Sequence, residues 1–236
     1  MKKQIPNIIT LLNLFSGCIA MVMAFTGNFS AVVMWVILAA AFDFFDGWTA
    51  RSLGVSSKIG VELDSLADIV SFGVAPASAV FMLLEDFTLF PSFLAQPEPI
   101  IPYLAFLIPV FSAYRLAKFN IDDRQTTSFL GLPTPANGLF WISYVYGTHQ
   151  AAVTNGFYFY LTVVFILVLS ILMVSEIPMF SLKIKSLKIR GNERQLLLVV
   201  VIVAFVLLWG ITGVAWGILV YIVMSIATMR KNKLIR

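Results

Sequence analysis

Eight apolar runs divide the chain, over residues 8–26, 29–47, 64–84, 100–118, 135–150, 155–176, 195–210 and 212–229. A helix that crosses the hydrocarbon core of a bilayer needs roughly 20 mostly apolar residues. The runs therefore predict an all-α fold, a polytopic membrane helical bundle of about eight transmembrane helices. The fifth run is short and only Ile211 or so separates the last two, so six or seven spans also fit the pattern. Composition excludes a soluble domain with a polar surface. Apolar residues make up 60% of the chain and charged residues 12%, against about 45–50% and about 25% in soluble domains. The Met-Lys-Lys start has the look of a signal peptide, but the first run is long, no small-x-small site follows it, and apolar runs continue to the C-terminus.

The charges test the eight-span reading. With the N-terminus in the cytoplasm and strict alternation, the cytoplasmic segments hold Lys2 and Lys3; Arg51 and Lys58; Arg115, Lys118 and Arg124; Lys183, Lys185, Lys188, Arg190 and Arg194; and Arg230, Lys231, Lys233 and Arg236. These are all 16 basic residues of the chain. The other side holds only Glu85, Asp86, Glu98 and His149. Positive charge belongs inside, so the map predicts both termini in the cytoplasm, and removing one span would break the separation. The net charge of +4 is accounted for by anionic lipid headgroups and needs no nucleic-acid partner. One cysteine, Cys18, rules out an internal disulfide and a cysteine metal site. One histidine, His149, is too few for a zinc site of histidines or a twin-histidine phosphotransfer.

Residues 41–68 read AFDFFDGWTARSLGVSSKIGVELDSLAD. Asp43 and Asp46 are spaced i, i+3 at the cytoplasmic end of the second helix. Asp64 and Asp68 are spaced i, i+4 at the start of the third. Each spacing puts a pair on one helix face, and the short connection makes the helices neighbours. Four carboxylates then converge near the membrane boundary. An uncompensated Asp at a helix centre costs about 2.5–3.5 kcal/mol, less near the ends, and like charges oppose one another's ionisation. Arg51 alone cannot neutralise four. Hard divalent cations can, and an all-oxygen donor set suits Mg²⁺, Mn²⁺ or Ca²⁺, with two ions plausible. Interfacial helix-capping aspartates facing water are the bland alternative. It explains a lone Asp64 well and four aspartates in paired register poorly. Gly47 and Gly60 allow close backbone approach beside the cluster, and Ala50 keeps the same side small, which suits a bulky ligand such as a nucleotide.

The pattern Asp43-x2-Asp46-Gly47-x2-Ala50-Arg51-x8-Gly60-x3-Asp64-x3-Asp68 resembles, at every fixed position, the signature of the CDP-alcohol phosphotransferase family. The resemblance implies that the aspartates hold two divalent metals, which bind the diphosphate of a CDP-linked donor. It implies that Asp43, Asp46 and Asp64 act chiefly as ligands and that Asp68, also a ligand, takes the proton of the acceptor hydroxyl as catalytic base. It assigns Gly47, Ala50, Arg51 and Gly60 to the nucleotide pocket, and it implies a homodimer. Further segments, IPNIITLLNLFSG near the N-terminus, DSLADIVSFGVAPA from Asp64, YRLAKFN after the fourth run and then GLPTPANG, resemble the membrane-embedded branch of CDP-diacylglycerol–serine O-phosphatidyltransferases. This likeness covers most of residues 5–140. It implies transfer of a phosphatidyl group from CDP-diacylglycerol to L-serine, giving phosphatidylserine and CMP, in the inner (cytoplasmic) membrane with the active site facing the cytoplasm. The implied organisation is a catalytic bundle over 1–180, a basic cytoplasmic loop or surface helix over 181–194, and a C-terminal transmembrane hairpin with a basic tail over 195–236.

Other residues carry two readings each. Asn7, Thr10 and Asn13 recur every three residues on the first helix, either joining helices by hydrogen bonds or, as the resemblance suggests, lining the donor pocket. Arg115 and Lys118 end the fourth helix, either as positive-inside anchors or as readers of donor phosphate or the serine carboxylate. Arg suits a bidentate carboxylate contact, so Arg115 is the first candidate for acceptor binding and Lys118 the second. The GLPTPANG segment reads as a tight entry to the fifth helix, opened by Pro135, at the edge of an acceptor pocket. Ser71 and Gly73 read as packing residues. The stretch Lys183–Arg194 reads as an amphipathic surface helix drawn to anionic lipid. Two alternatives stay open: the same donor with glycerol 3-phosphate or an inositol phosphate as acceptor, and a cation transporter. Transporter sites usually lie near the midplane on broken helices, unlike this cluster.

Overall fold

A computed structural model describes residues 4–55, 57–87, 100–121, 129–152, 155–180 and 192–233. The eight apolar runs fall on eight helical rods. These are α1 (Gln4–Phe25); α2 (Phe29–Ser52); a continuous rod of α3 (Lys58–Asp68), a π-helical turn (Ile69–Val74) and α4 (Ala75–Glu85); a 3₁₀ turn (Ile101–Phe106) running into α5 (Leu107–Ile121); α6 (Thr134–Ala152); α7 (Phe157–Val174); α8 (Glu193–Trp209); and α9 (Thr212–Lys233). Among the described residues, five rods are long and apolar enough to cross a membrane: α1, α2, Lys58–Glu85, Ile101–Ile121 and α7. The chain is an all-α integral membrane protein. Its strand content among the described residues is one antiparallel bridge, Phe129–Leu130 (β1) against Pro178–Met179 (β2). The basic stretch 183–190 lies outside the described residues, as do Lys2, Lys3 and Arg124.

Helix ends depart from the apolar runs where polar residues extend a helix beyond lipid. The second helix continues past residue 47 to Ser52, and the third begins at Lys58 rather than 64. The chain turns between them through Gly54, at φ 60°, and Ser57 caps the third helix by accepting from the Gly60 N–H at 3.0 Å. All four signature aspartates therefore lie inside helices, Asp68 as the last residue of α3 before the π-helical turn.

Helices α1 and α2 form an antiparallel pair, and α3, the π-helical turn and α4 pack across α1. The core centres on α4 and α6. Phe72, Leu83, Leu84, Phe140 and Trp141 are fully enclosed, and Phe140, Trp141, Tyr144 and Phe165 form a stacked and edge-on aromatic cluster. The π-helical turn is held by close neighbours. Ser71 lies against Gly17 and donates its hydroxyl to the Asn13 carbonyl at 3.0 Å. Gly138 of α6 lies against the Phe72 backbone, where an added Cβ would be 2.8 Å from Phe72 Cβ. The C-terminal hairpin packs α9 on α6, and the Tyr221 hydroxyl donates to the Phe180 carbonyl at 3.1 Å. Along α8 only Leu198 is buried, as expected of a helix whose solvent is lipid.

Candidate active site

The α2 and α3 faces bring the four aspartates together, but not as one symmetric cluster. Carboxylate oxygens of Asp43, Asp64 and Asp68 all lie within 4.8 Å of one another. Asp46 points from the same face of α2 toward α1, where its Oδ2 accepts from Thr10 Oγ1 at 2.6 Å. It still feels Asp43 and Asp64 electrostatically, with Arg51 as a nearby opposite charge. Asp68 is the deepest of the trio, 7% exposed, and its Oδ1 has no hydrogen-bond partner.

The trio fits a hard divalent cation. Two oxygens on one cation cannot be farther apart than twice the metal–oxygen distance, about 4.2 Å for Mg²⁺ and about 4.6–5.2 Å for Ca²⁺. A span of up to 4.8 Å meets the second limit and needs only a small side-chain shift for the first. The donors are all carboxylate oxygens, the chemistry such ions prefer.

A cavity of about 420 Å³ opens beside the trio. Asn7, Thr10, Asp46, Gly47, Ala50, Arg51, Gly60 and Asp64 all line it. Predicted nucleotide-pocket residues thus share one space, with Asp46 and Asp64 at its border with the trio. Gly60 leaves room: a Cβ there would lie 2.9 Å from Ser57 Oγ and 3.0 Å from Asn7 Oδ1. Asn13 departs from the group. It is fully buried, is not among the lining residues, and faces Asp68 instead.

Arg115 and Lys118 separate as well. Arg115 is buried, donates from Nη1 to Thr134 Oγ1 at 3.1 Å and lies over the Phe119 ring at 5.7 Å. Its guanidinium is an electrostatic neighbour of Asp68. Lys118, one turn nearer the helix end, pairs with Glu176 at 3.7 Å and borders a small second cavity that Arg115 shares. Asn120 reaches back to α3, donating to Ser65 Oγ at 3.0 Å. Sequence reasoning missed Thr134, which anchors Arg115, and Tyr221, which brings α9 to the same region. Thr134 lies in the GLPTPANG segment that marked the edge of an acceptor pocket. Nothing in the apolar context of Tyr221 distinguishes it.

Residues 3–223 match the CDP-alcohol phosphatidyltransferase family. The chain belongs to that family. That family is generally dependent on divalent metal ions, in keeping with the carboxylate trio. Among individual proteins, the chain is 32% identical over 176 residues to an archaetidylserine synthase of Methanothermobacter thermautotrophicus, covering 73% of this chain and 68% of the relative. It is 31% identical over 204 residues to a CDP-diacylglycerol–serine O-phosphatidyltransferase of Helicobacter pylori, covering 85% and 80%. A CDP-diacylglycerol–serine O-phosphatidyltransferase of Bacillus subtilis is 35% identical over 139 residues, covering 57% and 71%. Serine is common to all three names.

Proposed function

We propose that this enzyme transfers the phosphatidyl group of CDP-diacylglycerol to the hydroxyl of L-serine, giving phosphatidylserine and CMP. The observation that carries the reading is the placement of Asp68. It shares the carboxylate trio with the border of the nucleotide-sized cavity, and it has the buried guanidinium of Arg115 beside it.

The residues divide the work. Asn7, Gly47, Ala50, Arg51 and Gly60 shape the cavity for the cytidine diphosphate, with Arg51 offering charge to a phosphate. Thr10 fixes Asp46, the donor-side carboxylate. Asp43, Asp46, Asp64 and Asp68 would hold two divalent cations, Mg²⁺ or Mn²⁺. Bound there, such ions neutralise the diphosphate and stabilise the departing CMP. Arg115 binds the serine carboxylate and so points the serine hydroxyl at Asp68. The serine oxygen forms a bond to the lipid-linked phosphorus as the bond from that phosphorus to the CMP oxygen breaks. The hydroxyl proton passes to Asp68. Burial of Asp68 and Arg115 excludes water, which would otherwise compete as acceptor. Lys118, held by Glu176, edges the acceptor side.

The orientation we favour has both termini and the aspartates on the cytoplasmic face of the cell membrane, since that arrangement sends all 16 basic residues inward. With Cys18 replaced by Ala, a cysteine introduced at Lys58 should react with an impermeant maleimide only in inverted vesicles. Reaction in right-side-out vesicles would reverse the topology. The activity is tested by CMP release from CDP-diacylglycerol by the purified protein with Mg²⁺ or Mn²⁺, with serine, glycerol 3-phosphate or inositol phosphate added singly. Release with serine alone is expected. Release with a phosphorylated acceptor but not serine would overturn the choice of acceptor, and no release with any acceptor would overturn the enzyme reading.

A further inference from the structure

Asn7, Thr10 and Asn13 repeat every three residues, yet only the first two reach the donor cavity. Helix geometry explains the difference. Six residues along α1 advance about 9 Å and leave the side chain about 120° around the axis from where it began. Asn13 is therefore deeper than Asn7 and on a different face.

Its surroundings are unusual for an amide. Asn13 is 0% exposed, and neither Nδ2 nor Oδ1 has a hydrogen-bond partner among the described residues. An unpaired buried amide of this kind costs about 1–3 kcal/mol, so packing alone would favour an apolar residue. The side chain faces Asp68, whose Oδ1 is likewise buried and unpaired. The amide is the hydrogen-bonding neighbour of the carboxylate, without the close geometry of a fully formed bond. Both backbones are pinned: the Asn13 carbonyl accepts from Ser71 Oγ at 3.0 Å, and Ser71 belongs to the π-helical turn that follows Asp68 directly. Arg115, whose Nε is also buried and unpaired, is the other buried donor near Asp68.

We propose that Asn13 is a positioning residue for the transfer reaction: its Nδ2 amide holds Oδ1 of Asp68, so that Oδ2 is the oxygen presented to the acceptor. Asn13 then belongs to the base and not to the nucleotide. The inference rests on Asp68 receiving the acceptor proton.

The test compares full-length Asn13→Leu, Asn13→Ala and Asn13→Ser with wild type in detergent, by thermal midpoint and by CMP release with the acceptor that supports it in wild type. Asn13→Leu keeps the branched shape and heavy-atom count and removes the amide, so its midpoint should stay near wild type if the fold is intact. Its kcat should fall about 10- to 100-fold, as when a group orienting a site carboxylate is lost, with the KM for CDP-diacylglycerol within about twofold. Asn13→Ser, which restores a donor, should exceed Asn13→Ala by at least about threefold in kcat, the equivalent of a weak hydrogen bond. Wild-type kcat in Asn13→Leu would overturn the proposal. So would a raised donor KM at constant kcat, which is the signature of a nucleotide contact, or a lowered midpoint with Asn13→Ser no better than Asn13→Ala, which is the signature of packing alone. Absence of serine-dependent release in wild type would instead strike the choice of acceptor, while the variant ratios remain readable with the acceptor that works.

Discussion

The bond between Thr10 and Asp46 offers a quantitative test of the donor side. Thr10 Oγ1 lies 2.6 Å from Asp46 Oδ2 and 3.1 Å from the Pro6 carbonyl. A hydroxyl has one proton, and the ionised carboxylate is the stronger acceptor, so the proton goes to Asp46. Both residues are buried. Thr10→Val swaps the hydroxyl for a methyl group of similar size and leaves Oδ2 without its donor. A hydrogen bond to a charged group is worth about 1.5–3 kcal/mol. If that energy holds Asp46 in the geometry required by the donor diphosphate, kcat/KM for CDP-diacylglycerol should fall about 10- to 150-fold, at about 1.36 kcal/mol per tenfold. Thr10→Ser keeps the donor and should stay within about threefold of wild type. The assay is CMP release at varied CDP-diacylglycerol and saturating acceptor, on protein of unchanged thermal midpoint. Thr10→Val within about twofold of wild type, or Thr10→Ser as impaired as Thr10→Val, would refute the reasoning.

Three further outcomes follow from the same geometry. Asp64→Asn, which removes a charge from the trio and from the cavity border, should leave insertion intact and lower CMP release by about two orders of magnitude or more, since several kcal/mol of cation-derived charge stabilisation is at stake. Normal turnover would count against the metal site. Arg115→Lys loses the fork that engages Thr134 and a carboxylate together, so the KM for serine should rise about tenfold while the KM for CDP-diacylglycerol holds; equal rises in both would place Arg115 on the donor instead. Gly138→Ala would put a Cβ 2.8 Å from Phe72 Cβ and 2.9 Å from the Phe72 carbonyl oxygen. The clash should cost about 1–3 kcal/mol, read as a lower thermal midpoint, and an unchanged midpoint would mean that the π-helical turn yields easily.

Periodicity and hydropathy were sufficient for much of this architecture, because lipid demands a helix wherever the chain is apolar for long enough. They also put Asp43 with Asp46 and Asp64 with Asp68, since i, i+3 and i, i+4 fix a helix face. They could not say which neighbour each face meets. That Asp46 leaves the other three for Thr10 depends on how α1 lies against α2, a tertiary fact. The same holds for Arg115 and Lys118. They are three residues apart on one helix, and only the depth of packing buries the first and leaves the second paired with Glu176. The π-helical turn had no visible signal, for IVSFGV is as apolar as an ordinary span. Its wider backbone is matched by what surrounds it: Gly17 and Gly138 on two neighbouring helices and its own Gly73, which lies against Pro109 and Ser112.

The arrangement also separates chemistry from recognition. The donor cavity and the trio are built from α1, α2 and α3, the last two of which carry the residues of the family signature. Arg115, which approaches Asp68 from elsewhere, its anchor Thr134 and its neighbour Tyr221 come from α5, α6 and α9. A phosphatidyl group needs the same activation whatever alcohol accepts it, so the first set has little freedom. The second set lies outside the signature helices, and of it Arg115 is also the charge neighbour of Asp68. On the proposed reading, serine is chosen by one buried guanidinium held in place by a threonine, a fit for one carboxylate. A phosphorylated acceptor would bring a charge of about −1.5 to −2 into the same buried space, whereas serine brings one carboxylate balanced by its own ammonium. Among the described residues, Arg115 is the only Lys or Arg classed as buried. A single buried guanidinium there is in keeping with an acceptor that carries one carboxylate.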